Sequence, residues 1–212
     1  MPLQGDLSYR SLDSREATQA FFERHFPDVL DLAPGIIDEF GSKPPARYLT
    51  STTAPWCFAG RIVLLGDACH SVLPFYGQGM NAAFEDCVGL DDLIGRLGHA
   101  WREVFAEFEA ARAPNARAIA EMAIENYLEM RDEVRDAKFE LRAAVSFELE
   151  RRFAGRWIPR YSMVMFHPEI AYSEAQRRGA VQSRILSELT ARATTVADVD
   201  FARAAELIAA AL

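Results

Sequence analysis

The chain has 212 residues, of which 50% are hydrophobic, and a formal net charge of -8 at neutral pH. A hydrophobic share of this size is enough to fill the core of an ordinary globular fold. The acidic balance argues against binding to nucleic acid or to an anionic membrane surface, because both attract proteins through basic faces.

The N-terminal part predicts one edge strand and two helices. Residues 1–12 carry spaced apolar side chains, which is typical of an edge strand. Asp13 and Glu16 have the spacing of a capping box, so a helix is expected to begin there and to stop at Pro27. A shorter helix is expected over residues 34–41.

A strand, a loop and a helix are predicted next. Residues 46–53 are rich in Tyr and Thr, which favours a strand. The aliphatic run 62–65 predicts a strand that is buried on both faces of a sheet. A loop rich in Gly and Pro follows, and from Asn81 onward apolar residues recur at helical spacing.

This loop has the residues of a site for an anionic ligand. The first N–H groups of a helix lack intrahelical partners and carry partial positive charge. Gly77 and Gly79 let the backbone approach a flat ligand, and Pro74 fixes the chain before them. Asp67 is placed to accept hydrogen bonds from sugar hydroxyls. An ordinary turn between a strand and a helix would show the same residues, so loop chemistry alone leaves both interpretations open.

Helices predominate in the remainder of the chain. A helix that contains Trp101 is expected to end before Pro114, which is expected to begin the next helix. Residues 157–166 fit either an extended segment or a helical turn. Further helices are expected over residues 139–153, 168–179 and 180–193.

Three motifs of the chain resemble, in this order, the FAD-dependent single-component aromatic hydroxylases. They are Gly66-Asp67 with Gly77-Gln78-Gly79-Met80-Asn81, then residues 125–131, and then residues 157–164. The resemblance covers about residues 1–182. Enzymes of this family begin with a strand and a Gly-x-Gly-x-x-Gly turn that holds the ADP half of FAD, and no such pattern precedes Arg61. The chain is therefore expected to be the C-terminal half of such an enzyme.

The resemblance implies an α/β FAD-binding portion followed by a mostly α-helical C-terminal domain. This is a partial aromatic-hydroxylase fold that lacks the N-terminal Rossmann dinucleotide-binding unit. Four parts are expected: the end of a substrate-binding domain with the crossover (1–55), the C-terminal part of the FAD-binding domain (56–98), a helical C-terminal domain (99–193) and an Ala-rich tail (194–212).

The resemblance also implies a monooxygenase that uses FAD, NADPH and O2 to hydroxylate a small aromatic amino acid. No catalytic side chain is assigned, because the chemistry belongs to the flavin. FAD is expected to contact Gly66, Asp67, Pro74, Gly77, Gln78, Gly79, Met80 and Asn81. The substrate is expected to contact Asn126, Tyr161, Met130 and Phe75. Two alternatives stay open, namely a related hydroxylase with another substrate, and an inactive chain without bound FAD.

Two of these residues have a simpler interpretation as well. Met122, Asn126 and Met130 are four apart and share one helix face, where a buried amide needs hydrogen-bond partners. The residues alone favour a core Asn bonded to the backbone, and only the resemblance favours a substrate contact. Phe75 fits an aromatic wall of the site or ordinary loop packing equally well.

The remaining polar residues are assigned structural or solvent-exposed positions. His70 is expected to be structural, without an obvious partner. The acidic cluster Glu85, Asp86, Asp91 and Asp92 is expected to form a solvated helix face. The three cysteines are expected to be buried free thiols in a reducing cytoplasm, and no spacing of Cys and His predicts a metal site. No apolar run predicts a membrane anchor.

Overall fold

Helices make up most of the protein. A computed structural model describes residues 8–44, 48–133 and 136–212. The chain divides into two units, Met1–Tyr48 and Leu49–Leu212. The predicted division into four parts stays a prediction.

The described part of the first unit contains three helices: α1 (Arg15–His25), α2 (Pro27–Leu32) and α3 (Ile36–Ser42). The cap of α1 is Ser14, whose hydroxyl accepts a hydrogen bond from the N–H of Ala17 at 3.1 Å, so the predicted start at Asp13 was wrong by one residue. Pro27 ends α1 but also begins α2, because a proline fits the first turn of a helix. Most of the predicted edge strand, residues 1–7, lies outside the described residues, and Tyr9–Ser11 forms a 3-10 turn instead.

The second unit begins with four strands of two residues each: β1 (Ser51–Thr52), β2 (Cys57–Phe58), β3 (Ile62–Val63) and β4 (His70–Ser71). They form two antiparallel pairs, with Ser51 opposite Ser71 and Cys57 opposite Val63. The strand predicted over 46–53 is confirmed at β1, and residues 46–47 lie outside the described part.

The prediction of a fully buried strand at 62–65 was wrong. Among the described residues, β3 pairs only with β2, and the side chain of Ile62 is 56% exposed. Val63, Leu64 and Leu65 are partly buried and pack against the cluster that contains Trp56. The aliphatic run is therefore only partly covered in the described residues.

Helices form the rest of the second unit: α4 (Gly79–Leu97), α5 (Trp101–Leu128), α6 (Ala137–Arg152), α7 (Arg160–Phe166), α8 (Tyr172–Thr190) and α9 (Phe201–Ala211). A π-helical turn, Glu129–Glu133, extends α5. The predicted predominance of helix in this region is confirmed. In the described residues no helix has both the length and the apolar composition that a membrane crossing requires.

Two predicted helix boundaries are absent because each lies inside a longer helix. Pro114 lies within α5, where packed residues on both sides, such as Phe108 and Ile119, keep the helix continuous. Gly179 lies within α8, where its missing Cβ makes room for the side chain of Arg160. Both residues were predicted to mark helix boundaries because of their low helix propensity. Tertiary packing instead keeps the helix continuous through each of them.

Three hydrophobic clusters hold the second unit together. The first cluster is built around Trp56 and Phe108 and joins the β2–β3 hairpin to α4 and α5. Met122 centres the second, between α5, α7 and α8. Trp157 centres the third, which joins α6, α8 and α9. Helix α5 contributes to two of these clusters and therefore connects the loop after β4 with the C-terminal helices.

Candidate functional site

The first motif folds into two 3-10 turns that lead into α4. The turns are Gly66–Ala68 and Pro74–Tyr76, and Gly77 joins the second turn to α4 with a φ of 64°. A Cβ placed on Gly66 would lie 3.1 Å from the Cβ of Ala83, and Gly66 itself has a φ of 57°. The turn that carries Asp67 therefore packs directly on the first turns of α4, in a conformation and at a distance that favour glycine.

The N-terminal end of α4 presents an open polar surface. Among the described residues, no atom lies within 4 Å of a Cβ built on Gly77 or Gly79, and no side chain caps the helix. The side chains of Asp67 and Asn81 are exposed on the same motif. Free helix N–H groups, an accessible backbone and a carboxylate together fit a flat ligand that carries both anionic groups and hydroxyls.

Gln78 differs from its neighbours because its side chain points into the protein. It is 4% exposed. Its amide oxygen accepts hydrogen bonds from Asn81 Nδ2 at 3.0 Å and from the hydroxyl of Tyr172 at 3.2 Å, and its amide nitrogen contacts the sulfur of Met165 at 3.1 Å. Gln78 thus fastens the start of α4 to the C-terminal helices, and a ligand contact by its side chain stays a prediction.

Behind the loop lies a buried polar cluster that the sequence did not reveal. Asp86 is fully buried, and its carboxylate accepts hydrogen bonds from His70 Nε2 at 2.6 Å, from Arg112 Nε at 2.7 Å and from the N–H of Gly66 at 3.1 Å. Because the carboxylate only accepts, the proton of the imidazole is placed on Nε2. The prediction of a solvated Asp86 was wrong, and His70, which was expected to be structural, has Asp86 as its partner.

Opposing effects act on the pKa of Asp86. Burial raises the pKa of this carboxyl, while the hydrogen bonds from His70 and Arg112 lower it, and the net result is a lowered pKa. The carboxylate therefore stays ionised in the interior. A signal for this position was present in the sequence, since Ala82, Asp86 and Leu93 recur on one face of α4, and a carboxylate on a buried face needs partners.

The residues predicted to bind the substrate meet in a second region. Asn126 and Tyr161 both line a cavity of about 270 Å³, together with Tyr76. Asn126 Nδ2 donates to the carbonyl of Phe75 at 2.8 Å, and the rings of Tyr76 and Tyr161 stack with centroids 5.7 Å apart. The backbone-bonded Asn agrees with the simpler interpretation of this residue, and its position in the cavity wall leaves a substrate contact possible.

The other two predicted substrate residues lie beside this cavity. Met130 is exposed, with its sulfur 3.8 Å from Asn126 Nδ2, and the ring of Phe75 lies 4.7 Å from that of Tyr127. The motif after β4 and the end of α5 are therefore in direct contact. Because Asn126 donates to the carbonyl of Phe75, the loop is joined directly to the wall of the cavity.

The cavity is also lined by charged residues to which the sequence analysis assigned no role. Arg160 donates to Glu125 at 2.5 Å and to Glu129 at 2.9 Å, and all of Arg160, Glu129 and Arg142 line the cavity. Arg142 has a buried Nε without a hydrogen-bond partner among the described residues. Glu125 and Glu129 are four residues apart on one helix face, where two carboxylates repel each other unless a cation such as Arg160 pairs with both.

Comparisons with known proteins agree with this geometry. The family described as FAD binding domain matches residues 36–123, which include the whole first motif. The described residues contain no group of three or more side chains that could hold a metal ion. The loop geometry and this match point the same way: residues 36–123 are similar to an FAD binding domain, as the first motif predicted.

The particular relatives are enzymes named kynurenine 3-monooxygenase. The chain is 46% identical to the one from Myxococcus xanthus over 208 residues, which are 98% of this chain and 44% of the relative. It is 43% identical to the one from Stenotrophomonas maltophilia over 209 residues, covering 95% of this chain and 44% of the relative. The protein from Flavobacterium johnsoniae is 39% identical over 189 residues, or 89% of this chain and 42% of the relative. The chain thus spans less than half the length of these relatives.

Proposed function

We propose that this chain forms part of an FAD- and NADPH-dependent monooxygenase that converts L-kynurenine to 3-hydroxykynurenine in tryptophan degradation. The observation that carries the proposal is the open end of α4 in contact with the Asp67 turn, next to an aromatic cavity. The names of the relatives support the choice of kynurenine among aromatic substrates.

The residues of the first motif fit the cofactor. Gly77 and Gly79 leave the backbone accessible, the first N–H groups of α4 favour a partial negative charge, and Asp67 accepts hydrogen bonds from hydroxyls. When bound, FAD supplies the redox chemistry, since it takes electrons from NADPH and activates O2 for insertion into an aromatic ring. The protein contributes binding, orientation and the exclusion of water.

The cavity residues fit an aromatic amino acid. Tyr76 and Tyr161 provide a stacked aromatic wall, and Asn126 provides an amide for the polar end of the substrate. Arg142 adds a cation to the cavity wall, which suits a carboxylate. Asn126 also holds the loop through the carbonyl of Phe75, so its amide links substrate binding to the position of the loop.

The flavin assignment is tested by titrating the purified chain with FAD and following the quenching of flavin fluorescence. The Asp67→Ala variant is expected to bind FAD at least about tenfold more weakly, because it loses a hydrogen bond from a hydroxyl to a charged group. Asp91→Ala, which removes an exposed carboxylate from the C-terminal half of α4, is the matched control. Equal FAD affinity in the Asp67 variant and the wild type would contradict the role of Asp67.

The substrate assignment is tested by oxidation of NADPH in a protein that contains this chain and binds FAD. Kynurenine is expected to stimulate oxidation, with one 3-hydroxykynurenine formed for each NADPH consumed. Stoichiometric hydroxylation of a different aromatic acid, with kynurenine inert, would favour the related hydroxylase. A chain that binds no FAD would instead support the inactive alternative.

A further inference from the structure

The buried carboxylate of Asp86 joins three separate segments. It accepts hydrogen bonds from Gly66 in the turn that carries Asp67, from His70 in β4 and from Arg112 in α5. Arg112 returns to α4 by donating to the carbonyl of Ala82 at 3.3 Å. The side chains of His70 and Arg112 and the backbone N–H of Gly66 thus all donate to one ionised carboxylate, which lies in the first half of α4.

The contacts of Gly66 show what this convergence fixes. Gly66 meets α4 at two places, through the close packing on Ala83 and through the hydrogen bond to Asp86. Asp67 is the next residue in the chain, so its position follows that of Gly66. The N-terminus of α4, at Gly79, belongs to the same rigid helix as Asp86, seven residues earlier and about 10 Å along the axis.

We propose that Asp86 is a positioning residue, whose carboxylate keeps the turn with Asp67 at a fixed distance from the N-terminus of α4. The importance of this distance rests on the proposed function, in which both segments contact one FAD molecule. Stability alone is a weak reason for such a cluster, because buried ion pairs are often no more stabilising than apolar residues of the same shape. A charged acceptor with several donors gives strong and directional hydrogen bonds, which suit fixing the relative position of two ligand-binding segments.

The first test uses Asp86→Asn, with Asp91→Asn as the control that makes the same chemical change on an exposed part of the helix. Hydrogen exchange of the folded proteins is measured by mass spectrometry on peptides from residues 66–81 and from α8. We expect exchange in the 66–81 peptide to rise at least about tenfold in Asp86→Asn, which is the effect of losing a hydrogen bond to a buried charge, while α8 stays unchanged. Unchanged exchange in 66–81, or an equal rise in α8, would overturn the proposal.

A second pair of variants decides the question even if Asp86→Asn does not fold. His70→Gln keeps an amide N–H near the place of Nε2, whereas His70→Leu has similar size and no donor. We expect His70→Gln to retain the protection of the 66–81 peptide and His70→Leu to lose it. Equal exchange in the two variants would show that the hydrogen bond to Asp86 does not hold the turn.

Titration with FAD separates this inference from the proposed function. Where the wild type binds FAD, we expect Asp86→Asn to weaken binding at least about tenfold and Asp91→Asn to leave it unchanged, since only the former moves Asp67. Equal FAD affinity in a folded Asp86→Asn variant would overturn the positioning role. A wild type that binds no FAD would refute the flavin role of the loop, whereas the exchange data would still decide whether Asp86 holds the turn.

Discussion

At the scale of single residues, burial and hydrogen bonding decide which groups are reactive. Cys69 is buried, and burial together with the nearby carboxylate of Asp86 raises the pKa of its thiol to about 12. Cys57 is half-buried and Cys87 is exposed on α4, so the prediction that all three cysteines are buried was wrong for these two.

The thiols are therefore expected to react at very different rates. At pH 8 a disulfide reagent should modify Cys87 first, while Cys69 should react only after unfolding, since the thiolate is the reactive form. The number of rapidly reacting thiols can be measured by absorbance, with Cys87→Ser as the control. A rapid reaction that persists in Cys87→Ser and maps to Cys69 would contradict the assignment.

The lowered pKa of Asp86 has a consequence for the pH dependence of stability. A carboxyl whose pKa is lower in the folded state adds stability above its unfolded pKa, which is about 3.9, and this stability is lost as the pH falls through the folded value. The free energy of unfolding should therefore decrease as the pH falls below about 4 and should decrease less in Asp86→Asn. Urea denaturation between pH 3 and pH 6 measures both slopes, and identical slopes would show that Asp86 does not titrate with folding.

At the scale of elements, the sequence predicted helices more reliably than their ends. Periodic apolar residues identified α6 because its buried face, Leu141, Val145 and Leu149, follows the helical repeat. On α4 the same kind of pattern predicted the helix but not its buried face, since Phe84 and Val88 are exposed. Pro114 and Gly179 were misread because local preferences cannot show what packs beside a residue. The charged partners of the site were missed for the same reason: Asp86 and Arg112 are 26 residues apart and meet only in the folded chain.

Gly179 gives a prediction in which packing opposes helix propensity. A Cβ at this position would lie 2.5 Å from Cδ and 3.2 Å from Cβ of Arg160, which also binds Glu125 and Glu129. Gly179→Ala should therefore lower the free energy of unfolding by about 1–2 kcal/mol, although alanine favours helix by about 1 kcal/mol.

Gly95→Ala provides the matched control for this substitution. Gly95 lies inside α4, and no described atom is within 4 Å of its built Cβ, so the change should raise stability by up to about 1 kcal/mol. Urea denaturation of the two variants beside the wild type gives the comparison. Stabilisation of both proteins would show that Arg160 moves aside without loss.

At the scale of the whole second unit, the structure extends through the Ala-rich end of the chain. Composition suggested a tail over residues 194–212, yet α9 is amphipathic and buries Ile208 in the cluster around Trp157. Asp200 caps this helix by accepting from the N–H groups of Ala202 and Arg203, both at 3.0 Å. Alanine at the exposed and close-packed positions conceals the apolar stripe, which is why composition alone misjudges the segment.

The contribution of α9 can be measured by truncating its buried anchor. Ile208 is 1% exposed and packs with residues from α6 and α8, so Ile208→Ala should lower the free energy of unfolding by about 2–5 kcal/mol through lost burial and the cavity left behind. Ile62→Ala removes the same atoms from a side chain that is 56% exposed and should have a much smaller effect. Chemical denaturation followed by circular dichroism reports the unfolding of both variants. Equal stability losses would mean that Ile208 does not anchor α9 in the core that α6 and α8 form.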